Sequence, residues 1–294
     1  METALESTET IYGPEIFFNF IEVPADKLSE WGHIVKKLRT GEIHGVVVRN
    51  VISEEEVARI LKVMEKPVAE SGMETPSGKT YPAPFAIVSN SDERLDTYYN
   101  MLKQFYALAE REPVIKGMLE KLDKFFKSIA TDYKVSIPTN KIKNAQVSPG
   151  QFRVFNQGKG GLFVHCGNLF QTQTLHYYSL LANNIDMNDQ LSFFWLMQNS
   201  EGGGELTIYD MLWKDVKRKK SADENDSVID DNGNTIMLKD LRSFSVKPMP
   251  GDILVFSGGP IWHRVENIKG ETPRITFGGF LNYSKDDKEL FYWA

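Results

Sequence analysis

The stretch Leu162-Phe163-Val164-His165-Cys166-Gly167-Asn168 reads as an apolar strand carrying a histidine where a metal ligand would stand. Non-haem iron oxygenases hold Fe(II) with two histidines and one carboxylate. The acid usually follows the first histidine by two residues. On a strand, residues two apart face the same side, so His165 and position 167 are expected to share a face. Position 167 is Gly167, which has no side chain to offer. Alternation sends Cys166 to the opposite face. Downstream, His263 stands in Trp262-His263-Arg264-Val265, with Arg274 about ten residues further on. A histidine followed at that distance by an arginine is the pattern of enzymes that bind 2-oxoglutarate. Two histidines, an arginine and a glycine in the acid's place describe an iron site with one coordination position left open for an anion. Three other readings stay open on these residues alone. His165 can be a core histidine bonded to a backbone carbonyl, Gly167 a turn glycine, and His176 the third ligand of a three-histidine centre.

Working outward, the texture from about residue 142 onward is that of a sandwich or barrel. Short β-rich runs alternate with glycine turns over 151–156, 162–166, 191–198, 204–210, 252–257 and 274–281. Pro250-Gly251-Asp252 forms a turn directly before Ile253-Leu254-Val255-Phe256. The earlier part is more helical. Gly45-Val46-Val47-Val48-Arg49 reads as a strand, and Ser53 with Glu56 starts a helix over 54–65. Val57, Ile60, Leu61 and Met64 fall on one face of that helix. Residues 93–131 are helical again, with Leu95, Tyr99, Leu102, Phe105 and Leu108 as the buried stripe. Residues 1–14 read as a disordered tail and 15–294 as a single domain. Residues 211–246, with basic and then acidic runs, read as an inserted loop or lid. Gly202-Gly203-Gly204 lacks a lysine and a following helix, so it is no phosphate loop.

Composition removes several classes of function. The 294 residues suffice for one substantial core, and a net charge of −6 favours neither nucleic acid nor an anionic membrane surface. The single cysteine forbids an intrachain disulfide and points to a reducing, cytoplasmic setting. The polar start is no signal peptide, and no apolar stretch is long enough to span a bilayer.

Five segments together resemble a known family. They are His165-Cys166-Gly167-Asn168, Asp189-Gln190-Leu191-Ser192, Gly203-Gly204-Glu205-Leu206, His263-Arg264-Val265 and Pro273-Arg274-Ile275-Thr276. In this order they are similar to the Fe(II)/2-oxoglutarate halogenases, and most of all to the carrier-protein-independent group that chlorinates hapalindole and welwitindolinone alkaloids. Nucleotide halogenases are related. Glu289-Leu290-Phe291-Tyr292-Trp293 matches as well. The likeness is dense over 150–294 and thinner over 40–150. The chain departs from the pattern in Gln157–Gly161 and in the length and charge of Met211–Val246, both near the expected site entrance.

The resemblance implies a mainly β protein with helical decoration around a double-stranded β-helix, the cupin-like jelly roll. It implies His165 and His263 as iron ligands, and Arg274 with Thr276 as the grip on the distal carboxylate of 2-oxoglutarate. Gly167 would make room for chloride or bromide. Ser192 would steer the oxygen-derived ligand or simply fill a strand position, and Asn168 would fix the halide or a water or serve as a turn asparagine. Arg153 either meets an anionic substrate or pairs on the surface. Fe(II), 2-oxoglutarate, halide and O2 are the implied cofactors. The implied partner is a freestanding small molecule, with no carrier protein, nucleic acid polymer or membrane. Two other readings compete with a halogenase: a hydroxylase or oxidase of the same fold, and a non-enzymatic cupin-like binding protein. Intact His165, His263 and Arg274 argue against the last, and Gly167 argues against the hydroxylase.

Overall fold

The computed structural model describes residues 17–88, 92–157, 162–169, 180–181, 183–216, 227–230 and 232–294. The expected tail at 1–14 and His176 lie outside the described residues. The first half runs β1 (Phe20–Pro24), α1 (Ile34–Thr40), β2 (Gly45–Arg49), α2 (Glu54–Ser71), β3 (Met73–Thr75), β4 (Gly78–Tyr81), α3 (Phe85–Val88), α4 (Asp92–Arg111) and α5 (Pro113–Ile129). The second half runs β5 (Lys134–Ser136), β6 (Thr139–Asn140), β7 (Ala145–Gln146), β8 (Gln151–Phe155), β9 (Leu191–Gln198), β10 (Leu206–Leu212), β11 (Ser227–Ile229) and β12 (Thr235–Met237). It ends with β13 (Ser243–Val246), β14 (Ile253–Phe256), β15 (Ile261–Val265), β16 (Arg274–Tyr283) and β17 (Glu289–Trp293).

Two sheets face each other as a double-stranded β-helix. The major sheet has the order β1-β2-β14-β9-β16-β8-β4-β3, with β17 and then β5 continuing beside β16. The minor sheet is β13-β10-β15. Period-two alternation along β9 explains how the major sheet serves two layers. Leu191, Phe193, Trp195 and Met197 point outward into the core shared with α2, α4 and α5. Ser192 and Phe194 point inward, towards the minor sheet. The outer layer is made by the helical stripes. Val57, Ile60 and Met64 of α2 and Met118, Leu122 and Phe126 of α5 are buried in that core. Helix α2 starts where the sequence places it, with Ser53 and Glu56 capping each other. It runs on past the expected end, through Pro67, to Ser71. Between the sheets, Phe20, Val47 and Leu254 meet Leu206, Ile208 and Val265.

Two expectations are corrected. Residues 162–166 do not form a strand. His165 makes a one-residue bridge to His263, the Leu162 carbonyl accepts from Val265 N–H at 3.2 Å, and residues 167–169 have already turned helical. The cause is a pair of glycines. The N–H groups of Gly167 and Asn168 donate to the carbonyls of Gly258 (2.8 Å) and Gly259 (3.0 Å), which draws the chain out of strand register. Residues 211–246 are also more than a loop. They contain the β11–β12 hairpin and β13, which pairs with β10. Val216, Val228 and Leu238 bury against Val164, Cys166, Leu169 and Trp262 in a satellite core.

Candidate active site

The two histidines meet across the bridge between residue 165 and β15. His165 N–H donates to the His263 carbonyl and His263 N–H to the His165 carbonyl, both at 2.8 Å. Their rings lie 4.3 Å apart, centroid to centroid. Each Nδ1 sits against a carbonyl two residues upstream, Phe163 O at 2.6 Å and Ile261 O at 2.8 Å. A carbonyl can only accept, so Nδ1 carries the proton and Nε2 carries the lone pair that a metal needs. Burial pushes the His165 imidazolium down to about 4 and holds His263 well below the ordinary histidine range. Both rings are therefore neutral at pH 7, the ligating form. Phe256 packs edge-on against His263. Among the described residues, no group of three or more His, Cys, Asp and Glu side chains is placed to hold a metal.

Gly167 does not share a strand face with His165, because the strand has ended. It opens the helical turn that follows. A Cβ on Gly167 would lie 2.7 Å from Gln190 Nε2 and 2.9 Å from its Cγ. The space next to the glycine is thus taken up by a glutamine amide. Sequence reasoning overlooked Gln190. The available signal was spacing: it lies two residues before Ser192, at the mouth of a strand whose alternate positions face inward.

Of the two readings of Asn168, the structure takes the turn asparagine. Its amide is committed to Asp189, donating to Oδ1 at 2.7 Å and accepting the Asp189 N–H at 3.2 Å. It does not line the cavity. This pair holds Asp189 at a left-handed φ of 50°, which an L-residue adopts only with support. Asn168 therefore acts on the residue before Gln190, not on a ligand. Ser192 does line the cavity. Its Oγ lies against Gly258, where an added Cβ would come within 2.2 Å of it. Cys166 faces the satellite core, where burial pushes its thiol up to about 12, so it offers no thiolate.

Arg274 and Thr276 start β16 on one inward face, and both are buried. Thr276 lies directly across from Arg153 of β8. The Arg274 guanidinium stands 4.9 Å from the Phe194 ring centroid and 5.8 Å from that of Phe155. Among the described residues, no carboxylate forms an ion pair with it. Burial, and to a lesser degree the neighbouring Arg153, lowers it to about 10, against a smaller opposing attraction from Glu205. Gly204, at φ +75°, leaves the room: a Cβ there would come within 2.8 Å of Arg274 Cδ. That gives the Gly203-Gly204 pair a packing reason that the sequence did not reveal. Arg153 also lines the cavity, with the Gln151 side-chain oxygen accepting from its Nη2 at 2.7 Å and its Nε at 2.8 Å.

These groups line a cavity of about 600 Å³. His165, His263, Gly167, Gln190 and Ser192 lie on its lining, as do Arg153, Arg274 and Thr276. Phe155, Phe163, Phe194, Phe256 and Phe280 make much of the rest apolar. A buried arginine without a carboxylate partner is costly unless a ligand supplies the negative charge. Two neutral imidazoles with an unpartnered guanidinium on the same cavity fit Fe(II) and a dicarboxylate cofactor.

The sequence profile described as "Carrier-protein-independent halogenase WelO5" matches residues 17–294. The chain belongs to that family. As a member of this halogenase family it is an Fe(II)/2-oxoglutarate-dependent oxidoreductase, using a halide and O2 and acting on a freestanding small molecule. Among solved structures, an N-substituted L-amino acid dioxygenase from Burkholderia ambifaria AMMD is similar at 17% identity, with 87% of this chain and 89% of that one covered and a TM-score of 0.48. The non-heme alpha ketoglutarate dependent epimerase SnoN from nogalamycin biosynthesis shows 10% identity, 87% and 85% coverage and a TM-score of 0.41. A prolyl hydroxylase from Trichoplax adhaerens shows 10% identity, 90% and 92% coverage and a TM-score of 0.41. Likenesses this distant say nothing of the reaction. Among curated proteins, no sequence matches significantly. Among the described residues, no helix is long and apolar enough to cross a membrane.

Proposed function

We propose that this halogenase family member transfers chlorine or bromine to an unactivated aliphatic C–H bond of an alkaloid-like small molecule. The observation that carries the reading is Gly167: beside the two histidines, the position that usually brings an acid brings no side chain, and an uncharged glutamine fills the adjoining space. Bound iron, with 2-oxoglutarate and oxygen, supplies the oxidising power that breaks the C–H bond. The chain's own residues do the rest. His165 and His263 hold the metal as neutral ligands, and their Nδ1–carbonyl bonds fix the ring orientation. Arg274 pairs with the distal carboxylate, and Thr276 adds a hydroxyl on the same face. Arg153 adds positive potential along the same wall. Ser192 puts a hydroxyl on the cavity wall, where it would offer a hydrogen bond beside the bound metal. The aromatic lining holds a largely apolar substrate and keeps water out. A nucleotide is the second reading for the substrate, favoured by Arg153 on the cavity wall.

The test is a product analysis. The iron-loaded protein is incubated with 2-oxoglutarate, oxygen and either chloride or bromide, and a panel of alkaloids and nucleotides is read by mass spectrometry. The expected result is a product with the isotope pattern of the halide supplied. Hydroxylated product alone, at saturating halide, contradicts the proposal and favours the hydroxylase.

A further inference from the structure

Gln190 is buried to 1% exposure, yet its Oε1 has no hydrogen-bond partner. Among the described residues its Nε2 has none either, and the side chain lines the catalytic cavity beside Gly167. Its Nε2 reaches the cavity beside Gly167 with its donor capacity unspent, where a bound group can accept from it. The backbone around it is held on three sides. The Gln190 carbonyl accepts from Gly259 N–H at 2.7 Å. The preceding Asp189 is gripped by Asn168. Gly259 itself sits so close that a Cβ there would be 2.5 Å from Gln190 N. The amide is thus held in place by contacts that leave its own polar atoms unspent.

We propose that Gln190 is a halide-binding residue of this site: its Nε2–H group donates to the anion that binds beside Gly167. The inference rests on the halogenase reading above. An amide N–H2 is a donor without charge. It stabilises a monovalent anion next to the metal, and unlike a lysine or arginine it adds no further cation to a pocket that already holds Arg153 and Arg274. The carbonyl end would serve a cation instead. If Oε1 faced the metal, Gln190 would be a third iron ligand and would leave no vacancy for halide. Glycine and glutamine then work together: Gly167 removes the acid, and Gln190 replaces its bulk with a hydrogen-bond donor.

The experiment is an anaerobic titration of chloride into the Fe(II)–2-oxoglutarate protein, following the visible absorption of the complex. Iron and 2-oxoglutarate affinities are measured in parallel. Gln190→Leu keeps the bulk and removes the donor. It is expected to weaken chloride binding about 10-fold to 100-fold, the range a lost hydrogen bond to a charged group produces, with iron and 2-oxoglutarate affinities unchanged. Gln190→Glu, nearly isosteric, is expected to abolish the chloride response, because a second anion then occupies the space. Gln190→Asn, which keeps the amide on a shorter arm, is expected to fall between wild type and Gln190→Leu. It also guards against loss of fold in the others. Wild-type chloride affinity in Gln190→Leu overturns the proposal, as does loss of iron in that variant, which makes Gln190 a metal ligand. A wild-type protein with no chloride response overturns the halogenase reading itself.

Discussion

The two walls of the cavity are built in different ways. The major-sheet wall is regular: Ser192, Arg153, Arg274 and Thr276 stand on β9, β8 and β16, in antiparallel ladders backed by the helical core. The opposite wall is irregular. His165 is attached by a single bridge, Gly167 starts a turn, and two loop glycines pin the junction. The regular wall places Arg274 and Thr276 on one inward face by strand alternation. The irregular wall must bring His165, Gly167 and the Gln190 amide up to His263 of β15, which alternating strand geometry alone does not do. A bridge that ends in a turn aims consecutive residues in directions a strand forbids.

The comparison breaks first at the irregular wall. His263→Ala or His165→Ala is expected to abolish iron binding and 2-oxoglutarate-dependent succinate formation. Full metal occupancy in either variant, measured by elemental analysis, would remove both from the ligand set. On the regular wall, Arg274→Leu is expected to raise the 2-oxoglutarate dissociation constant roughly 30-fold or more, because a buried charge loses its partner. Calorimetry checks this, and an unchanged constant excludes the role. Iron affinity should stay near wild type in Arg274→Leu, which separates the two walls.

Gly259→Ala sharpens the contrast. Its new Cβ would press on the Asp189–Gln190 backbone, which cannot yield as a side-chain tip can. A destabilisation of about 1–3 kcal/mol is expected, together with weaker halide binding. Thermal unfolding and a chloride titration test both effects, and a wild-type melting temperature would mean that the junction is not rigid. The smallest effect is expected at Cys166. Buried in the satellite core with a thiol pushed up to about 12, it stays protonated at neutral pH. A thiol reagent at pH 8 should leave it unmodified until the protein unfolds, and rapid labelling of folded protein would contradict its placement.

The regular wall was largely legible in the sequence. The strands at 191–198 and 274 onward, the cap at Ser53 and the inward pairing of Arg274 with Thr276 all follow from alternation and turn residues. The irregular wall was legible only in residue type. His165, His263 and Gly167 stand out, but the strand drawn through 162–166 stops at His165, because contacts to Gly258 and Gly259 outweigh its β propensity. Those contacts join segments some ninety residues apart, and no local pattern encodes them. Gln190 was overlooked for the same reason: its neighbour Gly167 is near in space and distant along the chain. Asn168 has the opposite lesson. Its place in the histidine motif left a ligand role and a turn role open, and its amide is spent on Asp189.

The claim that the glycine exists to admit an anion is tested most directly by anaerobic crystals of the protein loaded with Fe(II), 2-oxoglutarate and bromide, read by anomalous scattering at the bromine edge. The account predicts one bromide bonded to iron on the Gly167 side of the two histidines, with Gln190 Nε2 in hydrogen-bond contact. A water or a protein oxygen bonded to iron there at saturating bromide would contradict it.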